Sequence, residues 1–189
     1  MKIDGNAVRP GMVIKHQDKL WRATKIQHTQ PGKGGAYAQV ELKGIRDGTK
    51  LNERFRSSEK VERAILQQVE YQFLFTQNDS FVFMHSENFE QLELTSDLVA
   101  EDQKPFLTEG INVIIETYEE KPIGIQLPDT IVLEVAEADA VVKGQTATSS
   151  YKPAILENNL KISVPPHIEA GTRIVVNTTD KSYVERAKD

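Results

Sequence analysis

The chain has 189 residues, 39% of them hydrophobic, and a formal net charge of −5, which provides enough apolar material for one large domain or for two or three small ones. It has no cysteine, and this excludes disulfides, thiolate metal sites and a cysteine nucleophile. Because we find neither a run of about 18 apolar residues nor an apolar secretion signal, we expect a cytoplasmic protein without a membrane span.

The first third of the chain, residues 1–64, is basic and is predicted to form short strands joined by turns. It carries fourteen Lys and Arg against seven Asp and Glu, a balance suited to a phosphate backbone, with ordinary variation between solvated surfaces as the alternative. The predicted strands cover residues 12–16, 19–28, 36–43 and 50–56. Short strands with little helix predict a small SH3-like or KOW-type barrel.

Residues 30–36 read QPGKGGA and place one lysine, Lys33, among three glycines. The segment joins two predicted strands, so we expect it to be the tip of a hairpin, longer than the usual two to five residues. Glycine has no side chain to pack, and extra length without apolar content favours a projecting loop that carries function. A lysine that is merely solvated in a turn is the alternative.

The remaining two thirds repeat the strand pattern with a different charge. Residues 65–127 carry two Lys against twelve Asp and Glu, and residues 128–189 carry seven basic residues against nine acidic ones. The predicted strands cover residues 69–76, 80–85, 89–94, 111–118, 131–136, 160–164, 173–177 and 183–186, and a short helix over 98–102 is expected to be capped by Ser96-Asp97. Each of these two thirds is predicted to form an OB-like barrel. Together with the first barrel, this predicts an all-β fold class with three small barrels in series.

The sequence contains few groups of residues with the spacing of a known catalytic motif. The histidines at 16, 28, 85 and 167 are scattered. Glu119 and Glu120 are adjacent and would point to opposite faces of a strand, so we expect them to form an exposed turn and not a paired acid and base. Gly32-Lys33-Gly34 is similar to a phosphate loop, but such a loop needs Ser or Thr after the lysine and a helix behind it. We therefore expect no enzyme, no metal site and no cofactor.

Two motifs carry a resemblance to a known family. Residues 31–36, Pro-Gly-Lys-Gly-Gly-Ala, are similar to the lysine-bearing hairpin tip of bacterial translation elongation factor P. Residues 152–176 are similar to that family's domain III signature, with matches at Lys152, Pro153, Ala154, Val164, Pro165, Ile168 and Gly171. The length and the ending YVERA also fit, so the resemblance covers essentially the whole chain.

The resemblance implies an L-shaped, tRNA-sized monomer that binds the 70S ribosome between the P and E sites. Its partners would be the P-site peptidyl-tRNA, ribosomal RNA and ribosomal proteins near the exit site, with exit-site mRNA as a further candidate. It would stimulate peptide-bond formation at stalled polyproline sequences. A lysine-modifying enzyme would extend Lys33 with a β-lysyl or related group, the one covalent addition expected on the chain.

The candidate functional residues fall into three sets. The functional loop comprises Pro31, Gly32, Lys33, Gly34, Gly35 and Ala36, with Lys33 as the modification site. The candidates for contact with tRNA or ribosomal RNA are Arg22, Lys25, Lys43, Arg54, Arg56, Tyr183 and Arg186. The candidates for an exit-site codon loop are Gly144, Gln145, Thr146, Ala147, Thr148 and Ser149. The family often has Gly-Asp-Thr in this loop, and Gln145 lacks the charge of that aspartate but keeps donor and acceptor capacity.

Two other classes of function stay open on the sequence. A general RNA-binding or transcription-associated KOW-type module would bind RNA without ribosomes. A nucleotide-dependent enzyme is disfavoured by the scarcity of catalytic motifs.

Overall fold

A computed structural model describes residues 1–140 and 150–188 of the chain. In these ranges the chain forms sixteen β-strands and three short 3₁₀ turns, and no α-helix. No helix within the described residues has the length and apolar character needed to cross a membrane. The predicted all-β fold class is confirmed.

The first sheet is built from the basic third of the chain. Its strands are β1 (Lys2–Asp4), β2 (Val13–His16), β3 (Lys19–Thr29), β4 (Tyr37–Gly44), β5 (Lys50–Arg56) and β6 (Lys60–Arg63), in the order β1-β6-β2-β3-β4-β5. Gln17 and Asp18 join β2 to β3 with φ of 51° and 58°, the primed turn geometry that matches the twist of a hairpin. Alternate residues of β4 and aromatic residues of β3 and β5 form the core: Ala38, Val40, Leu42, Trp21 and Phe55.

The second sheet comes from the acidic middle of the chain. Its strands are β7 (Gln67–Gln77), β8 (Ser80–His85), β9 (Gln91–Thr95), β10 (Asn112–Tyr118) and β11 (Lys121–Gln126), in the order β11-β10-β7-β8-β9. The predicted start of β9 at Phe89 is wrong, because β9 begins at Gln91, and Phe89 before it has φ of 62° and is 66% exposed. Strand β11 was not predicted, since Pro122 and Gly124 resemble turn signals.

The helix predicted over residues 98–102 is wrong. Only a 3₁₀ turn, Ser96–Leu98, forms there. The expected capping side chains have other partners: the Ser96 hydroxyl accepts a hydrogen bond from Lys104 Nζ at 2.8 Å, and Asp97 accepts one from the Thr95 hydroxyl. Neither side chain is therefore used to satisfy backbone N–H groups of a helix.

The third sheet comes from the last third of the chain. Its strands are β12 (Thr130–Ala138), β13 (Lys152–Leu156), β14 (Lys161–Val164), β15 (Arg173–Asn177) and β16 (Ser182–Arg186), in the order β14-β13-β12-β15-β16. Its core includes Leu133, Val135, Leu156, Ile174 and Val176. Strand β13 was also not predicted. Its Pro153 is tolerated because the pairing of β13 with β12 begins only at Ala154.

Contacts divide the chain into two compact units. Unit 1 comprises Met1–Val69 and Ile115–Ile125, and unit 2 comprises Glu70–Ile114 and Gln126–Asp189. Within unit 1 a small apolar cluster of Val13, Ala64 and Ile123 joins the two stretches. The domain boundaries predicted at residues 64 and 127 stay predictions.

Candidate functional site

The β3–β4 hairpin carries the lysine loop, residues 30–36. The two strands pair in antiparallel register from Trp21 opposite Gly44 to Thr29 opposite Tyr37, so seven residues close the hairpin. Strand β4 is flanked on its other side by β5, and the backbone N–H of Ser57 just after β5 donates to the carbonyl of Ala36 at 3.0 Å. The loop is therefore fixed at its base by a three-stranded sheet.

The tip of the loop is open on all sides. Gly32, Lys33, Gly34 and Gly35 are exposed. No heavy atom lies within 4 Å of where a side chain at Gly32 or Gly35 would begin, and Gly34 has φ of +118°, a region that favours glycine. Among the residues that the structure describes, Lys33 takes part in no ion pair. Its ammonium is presented to solvent.

Strands β3, β4 and β5 gather the basic residues of the first third on one outward face. Residues opposite each other in paired antiparallel strands point to the same face. The outward rows are Thr29–Tyr37–Arg56, Gln27–Gln39–Arg54, Lys25–Glu41–Asn52 and Arg22–Lys43–Lys50. We call the exposed cations in these rows, Lys25, Lys43, Lys50, Arg54 and Arg56, the basic sheet face. Glu41 is the one acidic residue in the rows, so this face attracts anions.

Four of the seven predicted RNA-contacting residues, Lys25, Lys43, Arg54 and Arg56, belong to the basic sheet face. Lys50 was not predicted as a site residue. The signal was available, because a period of two along β5 places residue 50 on the same side as 54 and 56. What the sequence could not supply was the register that sets β5 beside β4.

A carboxylate lies near the end of the basic sheet face that is remote from the loop. Asp47, in the turn between β4 and β5, accepts a hydrogen bond from the backbone N–H of Thr49 at 3.0 Å, and this bond lowers the pKa of the Asp47 carboxyl. Lys19 Nζ lies 3.7 Å from the same carboxylate. Asp47 is thus charged at neutral pH and offsets part of the positive charge there.

Arg54 is stacked on the aromatic ring at the foot of the loop. Its guanidinium carbon lies 3.7 Å from the centroid of the Tyr37 ring, the geometry of a cation–π contact. Tyr37 is the first residue of β4 and follows Ala36 directly. The sequence did not reveal this contact, since Tyr37 and Arg54 meet only through the pairing of β4 with β5.

Arg22 has internal partners. Its guanidinium donates to Glu116 Oε1 at 2.9 Å and to the carbonyl of Gly11 at 3.0 Å. Glu116 is only 2% exposed, and a buried carboxylate needs such a partner. We expect Arg22 to stabilise unit 1, and its contact with RNA stays a prediction.

The other predicted residues lie in unit 2 or outside the described ranges. Tyr183 is half-buried, packs against the core of the third sheet and meets Tyr151 edge-on at a centroid distance of 6.4 Å. Arg186 is exposed on β16 and lines an open groove together with Arg173 and Lys188. The predicted codon loop, residues 144–149, lies outside the described residues, and its role stays a prediction.

The acidic and histidine side chains were compared as possible metal ligands within the described part of the chain. Within residues 1–140 and 150–188, no group of three or more His, Asp or Glu side chains is placed to hold a metal ion. Glu119 and Glu120, considered above as an acid–base pair, form the two-residue turn between β10 and β11 and are exposed. This matches the exposed turn expected of them.

Comparison with known proteins gives one consistent family. Residues 4–61 match the model described as "Elongation factor P (EF-P) KOW-like domain", residues 66–125 match "Elongation factor P (EF-P) OB domain", and residues 131–186 match "Elongation factor P, C-terminal". The chain is 59% identical to elongation factor P of Chelativorans sp. (strain BNC1) and 56% identical to that of Zymomonas mobilis subsp. mobilis, in each case over 99% of this chain and 100% of the relative.

A solved structure, eukaryotic translation initiation factor 5A from Methanococcus jannaschii, shares the fold with a TM-score of 0.53. The match covers 68% of this chain and 92% of that one. At 24% sequence identity it supports the architecture alone.

Proposed function

The chain belongs to the elongation factor P family of translation factors, and from that premise we propose that it binds the 70S ribosome between the P and E sites and relieves stalling at polyproline sequences. The observation that carries the proposal is the exposed ammonium of Lys33 on an open glycine loop at the end of a long hairpin. The protein would act as a cytoplasmic monomer without a cofactor.

The chemistry of peptidyl transfer belongs to the ribosome, so the factor has only to position a reactant. Proline is a constrained nucleophile, because its ring fixes φ and stiffens the chain around it. If the 3′ end of the peptidyl-tRNA wanders, the amine of the incoming proline seldom reaches the ester carbonyl. Holding the two in near-attack geometry lowers the barrier by up to about 7–11 kcal/mol in favourable cases.

Lys33 has the chemistry to hold the CCA end of a tRNA. Its ammonium is a compact charge with three donors, suited to phosphate oxygens and 2′-hydroxyls. The neighbouring glycines keep the loop thin enough to enter a space lined by RNA, and Pro31 reduces the entropy lost when the loop becomes ordered. The RNA supplies the anion that Lys33 lacks within the described part of the chain.

We also propose that the Lys33 amine is extended by a β-lysyl or related group. The exposed amine is accessible to a modifying enzyme, and the added length and second amine would carry the charge further into the catalytic centre. Intact-mass analysis of the protein from its native host tests this. We expect a mass above that of the bare chain, and an unmodified mass in a fully active sample would contradict it.

The basic sheet face supplies a second contact. From Tyr37 to Lys43 strand β4 spans about 20 Å at 3.3 Å per residue. The cations of the basic sheet face, on β3, β4 and β5, are spread over this length and can lie along several phosphates of a tRNA acceptor stem. These contacts add affinity that falls with salt and carry no base specificity. Tyr183, Arg186 and residues 144–149 are proposed to meet the anticodon side of the tRNA or the exit-site codon.

A toeprinting assay on a polyproline message tests the proposal. We expect the wild-type protein to remove most of the stall signal and Lys33→Ala to leave it near the level without factor, because the truncated loop retains no cation at its tip. Lys161→Ala, which removes an exposed lysine from β14, is the matched control and should behave like wild type.

One outcome of that assay, and one outcome of a separate binding measurement with free RNA and with ribosomes, would count against the proposal. A stall that persists with wild-type protein would refute it. If the protein also binds free RNA as tightly as it binds ribosomes, the general RNA-binding module becomes the better account, and the basic sheet face would be its binding surface.

A further inference from the structure

We propose that Tyr37 and Arg54 are positioning residues that set the direction in which the lysine loop leaves the barrel. The inference rests on the proposed function, since the direction of the loop matters only if Lys33 must reach a defined target. The two residues touch each other through the face of the Tyr37 ring, one residue away from the end of the loop.

The loop has little support of its own. No heavy atom lies within 4 Å of a side-chain position at Gly32 or Gly35, and at Gly34 the nearest atom is the Pro31 Cγ at 3.8 Å. Three glycines in seven residues leave many backbone conformations accessible. The direction of the tip must therefore be set where the loop joins the sheet.

Besides the antiparallel pairing of Tyr37 with Arg56, two links tie that junction to strand β5 and the residue that follows it. The backbone N–H of Ser57 holds the carbonyl of Ala36 at 3.0 Å, and the guanidinium of Arg54 covers the ring of Tyr37 at 3.7 Å. Arg54 lies opposite Gln39 in the register, so its contact with Tyr37 runs diagonally, along β4 toward the loop. A twist of the end of β4 relative to β5 would separate the ring from the guanidinium.

The end of β5 is fixed by hydrogen bonds to Glu59 and by close packing against Gly5, so its position is well defined. Glu59 accepts the backbone N–H of Arg56 at 3.0 Å, and its own carbonyl accepts the N–H of Gly5 at 2.8 Å. Gly5 packs so closely that a Cβ there would lie 2.4 Å from the carbonyl oxygen of Arg56. Because Arg54 lies on this fixed strand, its contact with the Tyr37 ring restrains the end of the loop relative to the barrel.

The residue types suit this task. A planar guanidinium lies flat on a ring and keeps that contact with little motion, whereas a lysine ammonium is a point charge on a flexible stem. Arg54 takes part in no ion pair with the described residues, and its guanidinium contacts the Tyr37 ring. Tyrosine and phenylalanine offer the same ring face, and leucine does not.

The test measures backbone order in the free protein, without ribosomes. Amide ¹⁵N heteronuclear NOE values are compared for Gly32, Gly34 and Gly35 in the wild type and in variants that have the same melting temperature. Arg54→Ala and Tyr37→Leu should each lower the values by a similar amount, and the double variant should lower them no further. Arg54→Lys should fall between wild type and Arg54→Ala, and Tyr37→Phe should match wild type.

Lys50→Ala is the matched control, because it removes a cation from the same strand and the same face without touching a ring. We expect it to leave the loop NOE values unchanged. Values unchanged in Arg54→Ala, or lowered equally in Lys50→Ala, would overturn the inference whatever the ribosome assays show.

A kinetic experiment separates the positioning of the loop from the affinity for the ribosome, because it measures the maximal rate and the half-maximal concentration separately. At saturating factor, Arg54→Ala should reduce the maximal rate of Pro-Pro bond formation by roughly three- to tenfold, because a misplaced group lowers the rate even when it is bound. Arg54→Ala and Lys50→Ala each remove a cation of the basic sheet face, so both should raise the concentration needed for half-maximal rescue. A maximal rate equal to wild type in Arg54→Ala would contradict the inference. A wild-type protein that fails to rescue would refute the proposed function and leave the NOE result to decide this one.

Discussion

Glycine has two different physical roles in the residues that support the lysine loop. At Gly34 the backbone adopts a φ of +118°, which a residue with a Cβ rarely does. At Gly5 the reason is space, because an added Cβ would meet the carbonyl oxygen of Arg56 at 2.4 Å and the Phe55 Cβ at 3.0 Å. Gly34 therefore shapes the loop, and Gly5 allows the N-terminal segment to pack against the end of β5.

The space available for a methyl group predicts different results for alanine substitutions at Gly5 and at Gly32, where nothing lies within 4 Å of an added Cβ. Gly5→Ala should lower the free energy of unfolding by about 1–3 kcal/mol, since the backbone of β5 must move to relieve the overlap. Gly32→Ala should change it by less than about 0.5 kcal/mol, because nothing lies within 4 Å of the new methyl group. Urea unfolding followed by the fluorescence of Trp21 measures both. Equal stability of the two variants would contradict the steric explanation given for Gly5.

At the residue scale, the sequence predicted what depends on near neighbours in the chain. The exposure of Lys33 follows from the glycines around it. The contacts between Arg54 and Tyr37 and between Arg22 and Glu116 depend on which strands pair or pack, and Glu116 is 94 residues from Arg22 along the chain. Composition and local pattern carry no information about such contacts.

At the element scale, strands with a regular period of two were predicted accurately. Strand β5 was predicted at its observed bounds and β4 to within one residue, because alternate burial marks a half-buried strand. Strands β11 and β13 were missed because their prolines and glycine resemble turn signals, although neighbouring strands complete their pairing. The short helix was predicted wrongly because its capping side chains bond elsewhere.

A second element-scale contact joins β3 to β10 inside unit 1. Arg22 on β3 is 29% exposed in its side chain, and its partner Glu116 on β10 is 3% exposed. Arg22→Ala would leave a buried carboxylate without its cation, so we expect the free energy of unfolding to fall by about 3 kcal/mol. The double variant Arg22→Met/Glu116→Leu should recover most of that loss, because no unpaired charge remains. Urea denaturation of both variants tests this, and an Arg22→Ala protein as stable as wild type would contradict it.

At the scale of the whole molecule, the charge distribution suits an anionic partner, and the family is one of translation factors. The first third carries seven more basic than acidic residues, and five of its cations lie on one sheet face that leads to the loop. The predicted family and the all-β fold with KOW-like and OB domains are confirmed by the family models, which together extend from residue 4 to residue 186. The sites of contact and the modification of Lys33 stay predictions, since they depend on a partner that the chain does not contain.

The central claim is that the tip of the loop lies at the CCA end of the P-site tRNA, and a crosslink from position 33 tests it most directly. The chain has no cysteine, so Lys33→Cys provides a single thiol for a photo-crosslinker, and Lys161→Cys provides a matched control on β14. On polyproline-stalled ribosomes we predict that position 33 crosslinks to the 3′ end of the P-site tRNA and that position 161 does not. A crosslink from position 33 that goes elsewhere, or that is just as strong on ribosomes with an empty P site, would contradict the account.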